Sequence, residues 1–528
     1  MSPGTADQLF INGIILTQDE ELRQTTQLAI AGKHILAVGA DLSNFCDQNT
    51  EIIDLQGAVV TPGFIDAHVH FLWGGESLLT IPLQQADSRK SFIELISNYA
   101  TKQEPGSWLK GGGWNEHLFS EITLPHRGWL DQAAPGHPMI LHRHDGHSGV
   151  ASSTALKLAG ITKTTPDPKG GVIDRDKLGK PTGILRDAAM GLVMSLIPRE
   201  TEAELGRNLE TAQHYLLQNG VTAIGDMIHD LDHFRFLQKM ARQGKLRVRV
   251  SVYTPLLRWT EMKQLLDEGL YQDEWFQFKG LKAFCDGSLG SRTALMLEPY
   301  ADTPNAAGIY DTDWEDVTQI KKNISEVDQL GYQSVVHAIG DRANREVLDV
   351  FQSVIEQNGP RDRRFRIEHA QHIHPDDQNR FSELEVIASV QPSHCVDDAR
   401  YAETLLGRRC DYAYPFKTLE QKGTRLAFGS DWPVSPADPV TTIHGAVKRA
   451  NWYMEEAVDF KTALKAHTTD AAHAGFREND LGQLKVGHLA DLVVLDPAFL
   501  GLESFEKPPK ELIKSVYING QKQARDDG

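Results

Sequence analysis

Val60-Thr61-Pro62-Gly63-Phe64-Ile65-Asp66-Ala67-His68-Val69-His70 is the stretch on which the reading of this chain turns. An apolar run stops at Pro62-Gly63, a turn signal, and resumes as a short Phe64-Ile65 strand with two histidines at its far end. Side chains at i and i+2 of a strand leave the same face, so His68 and His70 can share one metal ion. An isolated H-x-H recurs by accident. A pair at the C-terminal end of a strand stands where α/β barrels carry their chemistry.

Further strands of the same texture follow, each with a helical stretch after it. They are Val221–Ile224, Val248–Val252, Leu281–Phe284, Ser334–His337, Phe365–His369, Ile387–Val390 and Leu426–Gly429. Counted with Phe64-Ile65 they make eight. Eight strands alternating with helices predict a TIM-type (β/α)8 barrel of class α/β, and no Gly-x-Gly-x-x-Gly opens a helix after the first strand, which disfavours a dinucleotide fold. Residues 8–60 alternate short β-rich runs with turns, and Asp491–Asp496 and Ser515–Gly520 return to that texture. Neither end can bury a core alone, so 1–62 plus 478–528 are expected to share one β-sandwich beside a barrel spanning 63–477. Between the first two strands, about 74–219 is far longer than a βα connection and predicts an inserted subdomain over the barrel mouth. It carries Gly111-Gly112-Gly113-Trp114 and His142-Arg143-His144-Asp145-Gly146-His147.

The 528 residues suffice for one large domain and an accessory one, and 40% hydrophobic with 24% charged residues is ordinary for a globular protein. Lysine plus arginine number 54 against 72 aspartate plus glutamate, and the resulting net charge of −18 repels nucleic acid and anionic membrane. Four scattered cysteines without a C-x-x-C indicate neither a disulfide framework nor a zinc ribbon. With no apolar stretch of spanning length and no signal-peptide pattern after Met1, the expectation is a cytoplasmic protein with no nucleic-acid or membrane partner; a homodimer is compatible with it.

Three more strand ends supply what a metal site needs. His337 and His369 close their strands, and Asp431 follows Phe428-Gly429-Ser430. Barrel closure brings such ends to one pocket although hundreds of residues separate them. Nitrogen and carboxylate ligands without thiolate suit zinc, one ion or two, with manganese or iron(II) as alternatives, and such an ion activates water near neutral pH. Asp431 is the expected acid/base.

Together these residues resemble the amidohydrolase superfamily, in particular its long-insert branch, which includes N-substituted formamide deformylases. The resemblance covers nearly the whole chain. It rests on Pro62–His70, Lys282–Ala294, His337–Ala343, Glu368–Gln371 and Gly429–Pro433, in that order. It implies that His68, His70, His337, His369 and Asp431 bind metal and run the acid-base step. Many relatives carry a lysine on the fourth strand that reacts with carbon dioxide to a carbamate bridging two metals, and Lys282 stands there; as a free ammonium it would be repelled by the ions. In Asp286-Gly287-Ser288-Leu289-Gly290-Ser291-Arg292, small residues, Asp286 and Arg292 are candidate substrate contacts, as are Trp114, His147 and His394. The insert departs from the branch pattern at Ser152, where asparagine is common, and at Asp187, where glutamate is frequent, which bears on specificity rather than chemistry.

The expected function is metal-dependent hydrolysis of a C–N bond in a small-molecule amide, water activated by the metal attacking the carbonyl. Deamination of a ring amine by the same site is the neighbouring alternative. A non-catalytic regulatory or scaffolding relative is the alternative from another class, and its signature would be lost ligands.

Overall fold

The structure, a computed structural model, describes residues 4–21 and 24–524. The outermost residues of the expected terminal β unit, 1–3 and 525–528, and residues 22–23 lie outside the described residues. Eight strands form one parallel sheet in chain order: β1 (Phe64–Val69), β2 (Val221–Met227), β3 (Arg249–Pro255), β4 (Phe276–Phe284), β5 (Gln333–Ala338), β6 (Arg366–His369), β7 (Ile387–Val390) and β8 (Leu426–Phe428). Each of the eight runs read from the sequence lies on one of these strands. β1, β5, β6 and β7 are buried at every residue, as strands covered on both faces are, and the polar residues they carry, such as Asp66, His68, Arg366 and Glu368, are buried with them.

The sheet curls until β8 meets β1, and the seam is closed just past the strand ends. The Asp431 N–H donates to the His68 carbonyl at 2.8 Å, and the His70 N–H to the Trp432 carbonyl at 2.8 Å. The buried Asp66 carboxylate straddles the seam, accepting from the Ser430 N–H at 2.9 Å and the His68 N–H at 3.2 Å. Gly429 permits this approach, since a Cβ there would stand 2.7 Å from the His68 nitrogen. The contacts that close the barrel are thus made by residues of its histidine and aspartate motifs.

After β1 comes the helix Phe71–Leu79, packed on the helix Glu202–Gln218, whose N-terminus is fixed by a Thr201/Glu204 capping box. Leu205, Leu209 and Leu216 join the main core with Phe64 and Phe71, so the last part of the interval 74–219 packs as a barrel helix. The middle of that interval builds a six-stranded sheet ordered 171–175, 181–187, 148–151, 140–143, 111–114, 81–82, with apolar clusters of its own around Trp114 and around Leu185.

Strands from both chain ends meet in a second six-stranded sheet, where Leu492–Leu495 pairs antiparallel with Val59–Pro62. A four-stranded sheet of 8–11, 27–31, 34–39 and 51–54 packs against it through Phe10, Ile30, Ile35, Val60, Leu492 and Tyr517. Arg249 at the start of β3 reaches the same sheet through a buried double contact with Asp491, at 2.6 and 3.0 Å. All four cysteines are free, and among the described residues no helix is long and apolar enough to cross a membrane.

Candidate metal centre

His68, on β1, and His70, one residue past its end, both turn Nε2 toward one carboxylate oxygen. His68 Nε2 lies 3.3 Å and His70 Nε2 3.2 Å from Asp431 Oδ1. Their other nitrogens are spoken for. His70 Nδ1 donates to the Met227 carbonyl at 2.7 Å, and His68 Nδ1 to Glu368 Oε2 at 2.6 Å. A neutral imidazole that donates from Nδ1 keeps a bare lone pair on Nε2, so two lone pairs and an oxyanion face one another, and Asp431 Oδ1 is buried without a hydrogen-bond partner. Burial pushes the His70, His337 and His369 imidazoles below the usual histidine range, keeping them neutral and able to ligate. The donor chemistry of this set fits a divalent cation.

A second convergence shares the same aspartate. Ligand atoms of His369, His394 and Asp431 lie within 4.8 Å of one another, as do those of His68, His70 and Asp431. His369 Nδ1 donates to Gln391 Oε1 at 2.8 Å and lies 4.0 Å from Asp431 Oδ2. His337 donates from Nε2 to the Gly287 carbonyl at 3.0 Å, which leaves Nδ1 as its lone-pair nitrogen, and its ring packs edge-on against His369 at 4.4 Å between centroids. His369 and Asp431 hold φ of 74° and 59°, left-handed values that cost non-glycine residues about 1–3 kcal/mol and recur where function fixes the backbone.

Lys282, on β4, is 3% exposed with no hydrogen-bond partner for Nζ, which sits 4.4 Å from the centroid of the Phe284 ring. Burial pushes its amine down to about 8 against the pull of Glu368 and Asp431. A buried amine that loses its proton so readily is able to react as a nucleophile.

Three expected substrate contacts are corrected. Trp114 is fully buried in the apolar core of the insert, its Nε1–H donating to the Leu141 carbonyl at 2.8 Å. Asp286 accepts the N–H groups of Leu295, Ile339 and Gly340 at 2.8 to 3.0 Å and is sealed from the cavity, a brace for the loop after β4. Arg292 turns outward to a part-exposed pair with Asp302. His147 does line the cavity, its Nδ1 2.8 Å from Asp187 Oδ1; burial works against its charge, but Asp187 raises it to about 9. His394, expected as a substrate contact, also lines the cavity and in addition stands in ligand range of Asp431.

That cavity spans about 440 Å³, open mouth included, and is lined by His337, His369 and Asp431 from the barrel and by His144, Asp145 and His147 from the insert. Asp145 joins the two parts: its Oδ2 accepts from Ser288 and Ser291 of the loop after β4 at 2.6 and 2.9 Å, and from Arg143 at 2.7 Å. The sequence reading missed Glu368, Gln391 and the Met227 carbonyl, which orient the histidines. Only Glu368 left a signal: Arg366 and Glu368 stand at i and i+2 on a buried strand, an ion pair turned into the barrel, 2.8 Å apart.

The chain is 38% identical over 537 residues to Protein LONG AFTER FAR-RED 3 of Arabidopsis thaliana, covering 98% of this chain and 91% of that one. It is 26% identical to the N-substituted formamide deformylase of Arthrobacter pascens, covering 93% of each. An uncharacterized metal-dependent hydrolase from Pyrococcus horikoshii OT3 superposes with a TM-score of 0.75 at 29% identity, over 93% of this chain and 98% of that structure. The amidohydrolase family profile matches residues 51–522, and with the barrel and its histidines in place the chain belongs to the amidohydrolase family.

Proposed function

We propose that this protein is a metal-dependent hydrolase of amide-type C–N bonds. The observation that carries the reading is the convergence of two bare Nε2 lone pairs and the unpartnered Asp431 Oδ1 beside an open-mouthed cavity. His68, His70, His337, His369 and Asp431 would hold the ion, zinc being the one the nitrogen-rich set suits best, and Lys282 as a carbamate would bridge a second. The metal supplies Lewis acidity, polarising a carbonyl and making water acidic near neutral pH.

The chain's own groups do the rest. Met227, Glu368 and Gln391 fix three imidazole tautomers, so no histidine has to reorient during the reaction. Asp431 divides its labour: Oδ1 faces His68 and His70, while Oδ2, 3.9 Å from His394 Nε2, takes the proton of the attacking water and passes it to the departing nitrogen. The insert covers the cavity, and the Asp145 contacts hold it on the loop after β4. A deformylase among the relatives makes N-formyl compounds the first substrates to try. The test is turnover of N-formyl, N-acyl and cyclic amides by metal-replete protein. Asp431→Asn is expected to cost about 10²–10⁴-fold in kcat with the fold intact, and undiminished turnover would refute the assignment.

A further inference from the structure

Among the described residues, the cavity beside the metal centre is lined by four carboxylates, those of Asp145, Asp397, Asp398 and Asp431, and by no lysine or arginine. Three of the four are committed. Asp145 takes the Arg143, Ser288 and Ser291 donors, and Asp431 faces His68 and His70. Asp398 accepts the hydroxyls of Tyr401 and Tyr414. Asp397 has only Arg400, at 3.7 Å, with the two side chains 35% and 45% exposed. An ion pair that long and that wet holds its carboxylate weakly.

The position of Asp397 gives it a use. It follows His394 by three residues on the helix Pro392–Asp398, hence on the same face, roughly 4.5 Å further along the axis. His394 is within 4 Å of Asp431, at 3.9 Å, so Asp397 stands about one helical turn beyond the reacting centre. A second group on this wall is also unsatisfied. Gln371 is 3% exposed and lines the cavity; its Nε2 is 3.5 Å from His394 Nδ1, while its Oε1 has no hydrogen-bond partner. A buried carbonyl oxygen without a donor is costly, and in a binding cavity a ligand is what relieves it.

A weakly held carboxylate and an orphaned amide oxygen, in a wall without lysine or arginine whose cationic His147 is already taken by Asp187, are complementary to a cation rich in N–H groups. An anionic arm would be repelled by Asp397, which Arg400 at 3.7 Å neutralises only weakly. A plain alkyl arm would strip water from Asp397 and Gln371 and return no hydrogen bond. The net charge of −18 favours the approach of a cation from solution. We propose that the substrate is an amide bearing a protonated amine on a short arm, with the ammonium bound by Asp397 and one of its N–H groups given to Gln371 Oε1. The inference rests on the hydrolase reading above and specifies which amides the site selects.

The test uses three formamides of equal length that differ only at the arm: N-formyl-1,4-diaminobutane, N-formylpentylamine and 5-(formylamino)pentanoate. With metal-replete, full-length protein, kcat/KM is expected to be at least about tenfold higher for the ammonium arm than for the pentyl arm, the gain of one charge-assisted hydrogen bond, and lowest for the carboxylate arm. Asp397→Asn should collapse the ammonium-to-pentyl ratio toward one, chiefly through KM, and Asp397→Lys should invert the order in favour of the carboxylate. A wild-type preference for the pentyl or carboxylate arm, or a ratio unmoved by Asp397→Asn, overturns the proposal. If none of the three is hydrolysed, the hydrolase reading loses its ground, and calorimetric titration of the same compounds into wild type and Asp397→Asn still decides the binding claim. Tighter binding of the ammonium compound to wild type alone sustains it, and equal binding of all three refutes it.

Discussion

His70 Nε2 and Asp431 Oδ1 stand 3.2 Å apart with no hydrogen between them, because the imidazole's one N–H is given to the Met227 carbonyl on its far side. Two electron-rich atoms held this close in a buried site repel unless a cation joins them, so the scaffold has prepared the contact for an ion. β1 supplies the histidine, the end of β2 the carbonyl and the turn after β8 the carboxylate, so the relationship exists only once the barrel has closed.

Glu368 carries the first prediction. It bridges Arg366 and His68 in full burial; burial raises its carboxyl, but Arg366 and His68 overcome this and bring it down to about 2. A carboxyl depressed in the fold contributes stability that is present above its unfolded value, 4.5, and is lost as pH falls from there toward 2. Glu368→Gln removes one partner of a buried pair and should cost about 3–5 kcal/mol at pH 7. Urea midpoints measured at pH 7, 4 and 3 should converge between wild type and variant as the pH drops below 4.5. A gap that stays constant would contradict the charge-pair role.

Arg292 and His147 are predicted to part company. Arg292→Ala breaks only a part-exposed pair with Asp302, worth no more than about 1 kcal/mol, and kcat/KM on any accepted amide should stay within roughly a factor of two. His147→Ala removes a cavity group held by Asp187 and should lower kcat/KM by roughly tenfold or more. Steady-state kinetics on the two variants, with circular dichroism to check folding, decide between them.

Lys282 separates a one-metal from a two-metal site. If its buried amine is carboxylated, Lys282→Met should lower the bound metal from two equivalents to one and make reconstitution of the apoprotein insensitive to bicarbonate, which wild type would require. Equal metal content in both proteins would assign the lysine to the mononuclear alternative.

How far the sequence reached follows from where each signal is stored. Most of the eight strands were legible because short runs rich in apolar and β-branched residues recur between helical stretches, and His68, His337 and His369 could be placed on strands because their runs end on them. The partners that orient the histidines were hidden: Met227 acts through its backbone carbonyl, which any residue offers, and Gln391 only through a contact made across neighbouring strands. Trp114, Asp286 and Arg292 misled because residue type carries no direction. A tryptophan in a glycine-rich loop can fold inward to an apolar core, an aspartate can spend both oxygens on backbone N–H groups, and an arginine at φ 58° can turn to the surface.

The central claim is that His68, His70, His337, His369 and Asp431 bind a divalent ion, and the most direct measurement is the metal content of zinc-loaded, gel-filtered protein by inductively coupled plasma mass spectrometry. Wild type should retain at least one equivalent, and His70→Ala and Asp431→Ala should each lose most of it while remaining folded. Wild-type protein that emerges without metal, or variants that keep the full complement, would contradict the account.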